Sequence, residues 1–230
     1  MQGQRLRVRE DCWVSVTGAD ASSTIPDWHA VRLIAGSEIV FPVNRSGVWI
    51  YVALAGGFSV PRWFNSASVC PRAQVGQPLK GNEVLSRAGD STVDLPGAVA
   101  SRLAAWEERR NFLEPPTLRI WPGPQWDWFD ETAREGFFDQ SWTLSSQCDR
   151  TGYRIEGEAI RAPDRELISE PVRIGSVQIP QNGQPIVTLR DGPTVGGYPK
   201  LGMIDPRDLS WLVQCRSGQQ VRFQPVGTGA

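Results

Sequence analysis

Apolar and polar residues alternate, or gather into short buried runs, along most of this chain. Between Leu6 and about Gly89 the segments RLRVRE, CWVSVTG, HAVRLIAG, SEIVFPV and GVWIYVALAGG are separated by Gly, Ser, Pro and Asp. A period of two marks a strand with one wet face. Ile50–Gly57 lacks that alternation and predicts a central strand covered on both faces, with a bulge or tight bend at Gly56-Gly57. Ala100, Leu103, Ala104, Ala105 and Trp106, followed by the charges from Glu107 to Arg110, predict a helix closed by Pro115-Pro116. Strands are then expected at TLRIWPG, WTLSSQ, YRIEG, RIGSVQI, PIVTLRD and QVRFQPV. Phe129, Ala133, Phe137 and Phe138 recur at helical spacing and predict a helix from about Asp127 to Phe138. Asp205-Pro206 reads as an N-cap followed by proline at the first helical position, starting a short helix through Gln214. The expectation is a mainly β chain with a few short helices. It places a first β-barrel at residues 1–95, a linker helix at 96–116 and a second barrel at 117–230.

The richest stretch runs from Ser176 to Asp208. Val177 and Ile179 lead into an Asn182-Gly183 turn, and Ile186, Val187 and Leu189 return as the second arm of a hairpin. The loop that follows, Asp191 to Lys200, is more than a hairpin needs, and function concentrates on such loops. Asp191 is a candidate general acid or base, and Gly196-Gly197 offers backbone N–H groups to an oxyanion. Tyr198 and Lys200 are candidate donors to a developing charge. Thr194 lies in the same loop, and Gln178 points at the same place if the two strands pair. The competing reading is a structural loop with Lys200 in solvent. Asp149-Arg150, read as strand neighbours on opposite faces, is either an anion clamp oriented by its carboxylate or a turn cap beside a loop pin. Asp20 either lines a ligand pocket or caps the turn after Thr17-Gly18-Ala19-Asp20.

Composition narrows the chemistry. A net charge of −1 and a pI near 5.9 give no field for nucleic acid, so no nucleic-acid partner is expected. No apolar run is long enough to span a membrane, and MQGQRLRVRED lacks the apolar core of a secretory signal, so a cytoplasmic protein is expected. Cys12, Cys70, Cys148 and Cys215 show no metal or disulfide spacing and read as buried free thiols. With His29 as the single histidine, a histidine metal site or Ser-His-Asp triad is not expected, and no metal ligands are assigned. Trp13, Trp49, Trp121 and Trp142 are expected in the core, while Trp126 and Trp128 are open between a rim and a partner surface. No G-x-x-x-x-G-K-[ST] pattern and no Met-Lys-Met biotin-attachment site occur, so this chain alone is expected to bind no cofactor.

Four motifs in order, VALAGGFSVP (Val52–Pro61), WPGPQWDWF (Trp121–Phe129), SSQCDRTGYRIEG (Ser145–Gly157) and the Ser176–Asp208 stretch, resemble the allophanate hydrolase subunit 2 family. That family includes the biotin-dependent carboxyltransferase domain of urea amidolyase, the C-type subunit of the ATP-dependent bacterial 5-oxoprolinase, and the Kip-type antagonist of a sporulation-kinase inhibitor. The resemblance implies two tandem cyclophilin-like β-barrel domains. It also implies a C-type subunit that opens 5-oxo-L-proline to L-glutamate. The partners would be a B-type (Kip-inhibitor-like) subunit and a LamB/YcsF-like A subunit, with ATP used by the complex. The alternatives are carboxyl transfer from carboxybiotin on a separate carrier and non-catalytic antagonism of a kinase inhibitor. Two departures stand out. The chain begins about where a segment reading TTVQD-GR-G and G-P-SGA-D ends in relatives, so a shortened first barrel is expected. Where relatives read much like LGSRST, this chain has FNSASV (Phe64–Val69), which removes a bidentate arginine.

Overall fold

The computed structural model describes residues 3–89, 101–103 and 111–227. The chain divides into two compact units, one comprising residues 1–45 and 50–109 and the other residues 46–49 and 110–230.

The strands of the first unit are β1 (Gln4–Arg7), β2 (Cys12–Asp20), β3 (His29–Leu33), β4 (Glu38–Phe41), β5 (Ser46–Leu54, whose first four residues are counted with the second unit), β6 (Phe58–Ser59), β7 (Ser86–Arg87) and β8 (Ser101–Leu103). Their described pairing is an open sheet in the order β5-β2-β3-β8, with two-stranded ribbons β1–β4 and β6–β7. Val14, Val16, Ala21, Ile25, Ile39 and Phe41 form its core. Two expectations are corrected here. The Ile50–Gly57 run is not a doubly covered central strand: among the described residues β5 lies at the sheet edge, with Ile50, Val52 and Leu54 toward the core and Tyr51 55% exposed. An apolar run containing Tyr and Ala in alternate positions concealed an ordinary two-faced strand. Of the helix expected over 96–116, residues 101–103 instead form β8, paired with His29–Val31, and residues 111–114 form a turn. A strand partner overrode helical propensity there, and the rest of that segment lies outside the described residues.

The second unit contains β9 (Thr117–Pro122), α1 (Glu131–Phe138), β10 (Trp142–Leu144), β11 (Gly152–Glu156), β12 (Glu170–Pro171), β13 (Ser176–Gln178), β14 (Ile186–Thr188), β15 (Val195–Gly196), β16 (Lys200–Ile204), α2 (Pro206–Leu212) and β17 (Gln220–Pro225). Seven of these strands close a barrel in the order β10-β11-β14-β13-β16-β9-β17, with β17 returning to β10. All pairs are antiparallel except β9–β17. Leu118, Ile120, Leu144, Ile155, Val177, Val187, Leu201 and Val221 fill the interior, and the inner face of α1 adds Ala133 and Phe137. Phe137 stacks on Phe223 at 4.7 Å, and the Trp142 indole N–H donates to the Phe137 carbonyl at 2.9 Å.

Local chemistry explains the boundaries. α1 begins four residues later than the phenylalanine spacing predicts because Asp130 caps it, accepting from the Ala133 N–H at 2.8 Å. A 3₁₀ turn over Trp126–Trp128 precedes it. Asp205 caps α2 as expected, with Pro206 at the first position, but the helix ends at Leu212. Gly183 takes φ of +70°, and a Cβ there would lie 2.4 Å from the Ile160 carbonyl oxygen, so the hairpin turn requires glycine. Gln214 is buried and its Oε1 accepts from the Val48 and Trp49 N–H groups, both at 2.8 Å, holding residues 46–49 in this unit.

The tryptophans depart from expectation. Trp142 is fully buried, but Trp49 and Trp121 are 42% and 45% exposed and Trp13 is half-buried. Adjacency to strand residues does not say which face a side chain takes. Trp126 and Trp128 are half-buried, each with an arginine (Arg134 and Arg165) over its ring. Of the cysteines only Cys215 is buried, where loss of water pushes its thiol up to about 12.

Candidate functional site

Alternation along the barrel strands builds the site. Val177, Val187 and Leu201 point into the core, while Gln178, Thr188 and Lys200, one residue away on the same strands, take the opposite face. That outer face is buried: Gln178, Thr188 and Lys200 are 5%, 3% and 3% exposed. The antiparallel ribbon of β12 and β15 supplies partners there. A register shift between Val177 and Gln178 sets Gln178 opposite Lys200, and such irregularities re-aim side chains.

Lys200 donates from Nζ to Oε1 of Glu170, on β12, at 2.6 Å. The same carboxylate oxygen accepts from Gln125 Nε2 at 2.9 Å, and Gln125 Oε1 accepts from the Lys200 backbone N–H at 3.0 Å. The Lys200 hydrogen bond, reinforced by the one from Gln125, holds the Glu170 carboxyl below its usual range. Beside this triad Gln178 Nε2 donates to Thr188 Oγ1 at 2.7 Å, and Gly196 passes so close that a Cβ there would sit 3.2 Å from Gln178 Oε1. The arrangement places an ammonium, a carboxylate, two carboxamides and a hydroxyl together within one unit. Its donors occupy a nearly dry position, where donors act most strongly.

The predicted residues divide into those the fold brings together and those it does not. Lys200, Gln178 and Gly196 meet. Lys200 is a strand residue under the ribbon rather than a loop residue in solvent, because β15 interrupts the expected loop. Tyr198 is 49% exposed in the connection just ahead of β16, and Gly197 is exposed beside it. Thr194 is exposed, and its carbonyl accepts from the Val172 N–H at 2.9 Å. Asp149 and Arg150 lie in the turn before β11, not in a strand. Asp149 Oδ1 accepts from the Thr151 and Gly152 N–H groups at 2.8 and 3.2 Å. Arg150 grips Asp191 with two bonds, Nε to Oδ2 at 2.9 Å and Nη2 to Oδ1 at 3.1 Å. Asp149 as turn cap and Arg150 as loop pin is therefore the geometry observed, and the Asp191 carboxylate is engaged by the pin. Asp20 belongs to the other unit, where its Oδ1 accepts from the Ser22 N–H at 2.9 Å as a turn cap.

Gln125 and Glu170 escaped sequence reasoning. Gln125 sits inside WPGPQWDWF, whose tryptophans dominate the local pattern, and Glu170 lies 30 residues from its partner with no local pattern. One signal was available: Lys80 and Lys200 are the only two lysines in an arginine-rich chain. A second charged group lies where Arg119 bonds Asp208 (two bonds of 2.7 Å), clamping β9 to α2, beside the Arg207–Asp205 pair (two of 3.0 Å) at the start of α2. Among the described residues no His, Cys, Asp and Glu side chains gather as a metal site, and no helix is long and apolar enough to cross a membrane.

Comparison with known proteins agrees with this architecture. The carboxyltransferase domain family, subdomain A and B, matches residues 1–225. The C-type subunit of the Escherichia coli (strain K12) 5-oxoprolinase is 34% identical over 223 residues, covering 93% of this chain and 69% of the relative. The corresponding C-type 5-oxoprolinase subunit of Haemophilus influenzae is 29% identical and covers 97% of this chain and 72% of that protein. The crystal structure of TTHA0988 superimposes with a TM-score of 0.80 at 30% identity over 97% of this chain, which spans 44% of that solved chain. Urea amidolyase of K. lactis shares the fold, with a TM-score of 0.81 at 19% identity over 97% of this chain and 15% of that one. The chain belongs to the carboxyltransferase domain family, subdomain A and B.

Proposed function

We propose that this chain is a C-type subunit of an ATP-dependent 5-oxoprolinase, opening the 5-oxo-L-proline lactam to L-glutamate with a B-type (Kip-inhibitor-like) and a LamB/YcsF-like A subunit in the cytoplasm. The observation that carries the reading is 34% identity to a C-type 5-oxoprolinase subunit through 93% of this chain. The Lys200 group supplies chemistry that suits it. Lactam opening adds the oxygen of water to the amide carbon and breaks its C–N bond, so the carbonyl must be polarised and the departing nitrogen protonated. In this reading the Lys200 ammonium, seated on Glu170, donates to the carbonyl oxygen, with Gln178 and the Gly196-Gly197 backbone holding the substrate amide. Tyr198, exposed on the same connection, donates toward the departing nitrogen. Asp191, with Arg150 and Asp149, keeps the Thr194-bearing loop in place. ATP is consumed by the assembled complex.

The test is reconstitution. The chain, co-purified with its B-type and A-type subunits, is expected to form glutamate from 5-oxoproline only when all three proteins and ATP are present. Full turnover without this chain would refute the proposal. The family's carboxyltransferase description and a 25% identical putative urea carboxylase of Emericella nidulans favour a second reading, carboxyl transfer with a carrier in trans. Decarboxylation of carboxybiotin accelerated by this chain, with no glutamate formed by the complex, would select it.

A further inference from the structure

The turn Pro122-Gly123-Pro124-Gln125 lies against β16 more closely than a side chain at position 123 would permit. A Cβ on Gly123 would fall 2.4 Å from the Lys200 carbonyl oxygen and 2.9 Å from the Gly202 nitrogen. The Gly123 N–H donates to the Leu201 carbonyl at 3.0 Å, fixing the approach. This close contact brings the Gln125 side chain, 4% exposed, to both ends of Lys200. One end of its amide receives the Lys200 main-chain N–H, and the other donates to the Glu170 oxygen that receives the Lys200 Nζ. A simple cap would satisfy one group. This amide ties the backbone that carries the lysine to the carboxylate that orients its tip.

We propose that Gln125 is a positioning residue for Lys200, a two-ended splint that fixes where the ammonium points. The inference rests on the reading above that Lys200 acts on the substrate carbonyl. Without the splint Glu170 rotates on a ribbon of only two-residue strands, and the ammonium follows it. A displacement of about 1 Å in a catalytic group costs about a hundredfold in rate.

Gln125→Leu removes both hydrogen bonds at similar volume, and in the reconstituted complex it is expected to lower kcat about 10- to 100-fold with KM within about twofold. Gln125→Glu keeps the acceptor and loses the donor. Among the described residues, the charged groups nearest position 125 are the Glu170 carboxylate of β12, which its amide meets directly, and the Lys200 ammonium of β16, which bonds that same carboxylate oxygen, while Asp127 on the same turn is exposed. A second carboxylate against Glu170 raises the pKa of the pair, so as pH falls the new carboxyl becomes neutral and donates as the amide did. The activity of Gln125→Glu relative to the unaltered protein is therefore expected to rise toward acid pH.

A readout independent of turnover is the ¹³Cε resonance of Lys200, one of two lysine signals, assigned by its loss in Lys200→Arg. It is expected to shift toward the free-lysine position in Gln125→Leu. An unmoved signal in a folded variant, or a lowered melting temperature with unchanged turnover per folded molecule, would overturn the proposal. A moved signal in a chain whose complex never forms glutamate would overturn the 5-oxoprolinase reading and leave the splint standing. If Gln125→Leu does not fold, the pH response of Gln125→Glu and its Lys200 signal decide.

Discussion

Removing the charge from Glu170 is expected to destabilise the second unit more than removing Lys200 itself. The two groups meet at 2.6 Å, where attraction at an effective dielectric constant of about 20 is about 6 kcal/mol. Most of that is offset by taking the ammonium, 3% exposed, out of water. Glu170→Gln leaves the ammonium buried with only a weaker amide oxygen to receive it. Losing one partner of a buried pair costs about 3 to 5 kcal/mol, and the lower end applies because the Glu170 side chain keeps 32% exposure and admits water. Lys200→Met fills similar volume, and the remaining carboxylate is hydrated at its open edge and still receives Gln125, for a cost of about 1 kcal/mol. The double variant should cost little more than Lys200→Met alone, because the stranded ammonium is gone. In thermal melts followed by near-ultraviolet dichroism, Glu170→Gln is expected to fall about 10 °C and Lys200→Met about 3 °C. The reverse order, or simple additivity in the double variant, would refute the buried-pair reasoning.

Four further outcomes are expected. Asp191→Asn should shift melting by no more than about 3 °C, since its pair with Arg150 is half-exposed and such pairs contribute about 1 kcal/mol or less, and it should lower turnover less than fivefold; a loss near a hundredfold would return Asp191 to acid–base duty. Trp142→Ala should cost about 3 to 5 kcal/mol in denaturant titration, because a fully buried indole and its bond to Phe137 both go. Hydrogen bonds from Arg207 hold the Asp205 carboxyl well below the usual carboxylate range, and Lys200 lowers Glu170 in the same direction, so their stabilisation is complete above about pH 5, where both are ionised in the unfolded chain too, and disappears as pH falls through the lowered values; acid titration of Asp205→Asn should show a flatter loss than the unaltered chain. Iodoacetamide at pH 8 should spare Cys215 in the native chain and label it after unfolding.

What was legible in the sequence was whatever depends on near neighbours. The Asn182-Gly183 hairpin, the Asp205-Pro206 cap and the alternating strands from Cys12 to Phe41 follow from local sterics and period-two patterning, and all are present. The Lys200–Glu170–Gln125 triad was not legible, since its members come from β16, the separate β12–β15 ribbon and the turn after β9, which meet only in the folded unit. Tyr51 and Trp49 read as core because an apolar run does not reveal whether a strand is central or at an edge, which depends on neighbours elsewhere in the chain. Arg150 and Asp191 each stand out in the sequence, but their pairing across 41 residues is a product of the loops that β11 and β14 set side by side.

The parallel seam between β9 and β17 has a consequence for biosynthesis. The barrel's first strand waits for its last: Thr117–Ile120 finds its β17 partner only when residues 222–225 exist, and β10 likewise receives Gln220 and Val221. Until then the nascent sheet has two raw margins, and every residue between them must be made before the ring can seal. The ring of this unit therefore seals only after its last strand has been made, even though its hairpins form early. A chaperone that shields strand margins should raise the yield of chains stalled before Gln220, and should matter little for chains extended past Pro225.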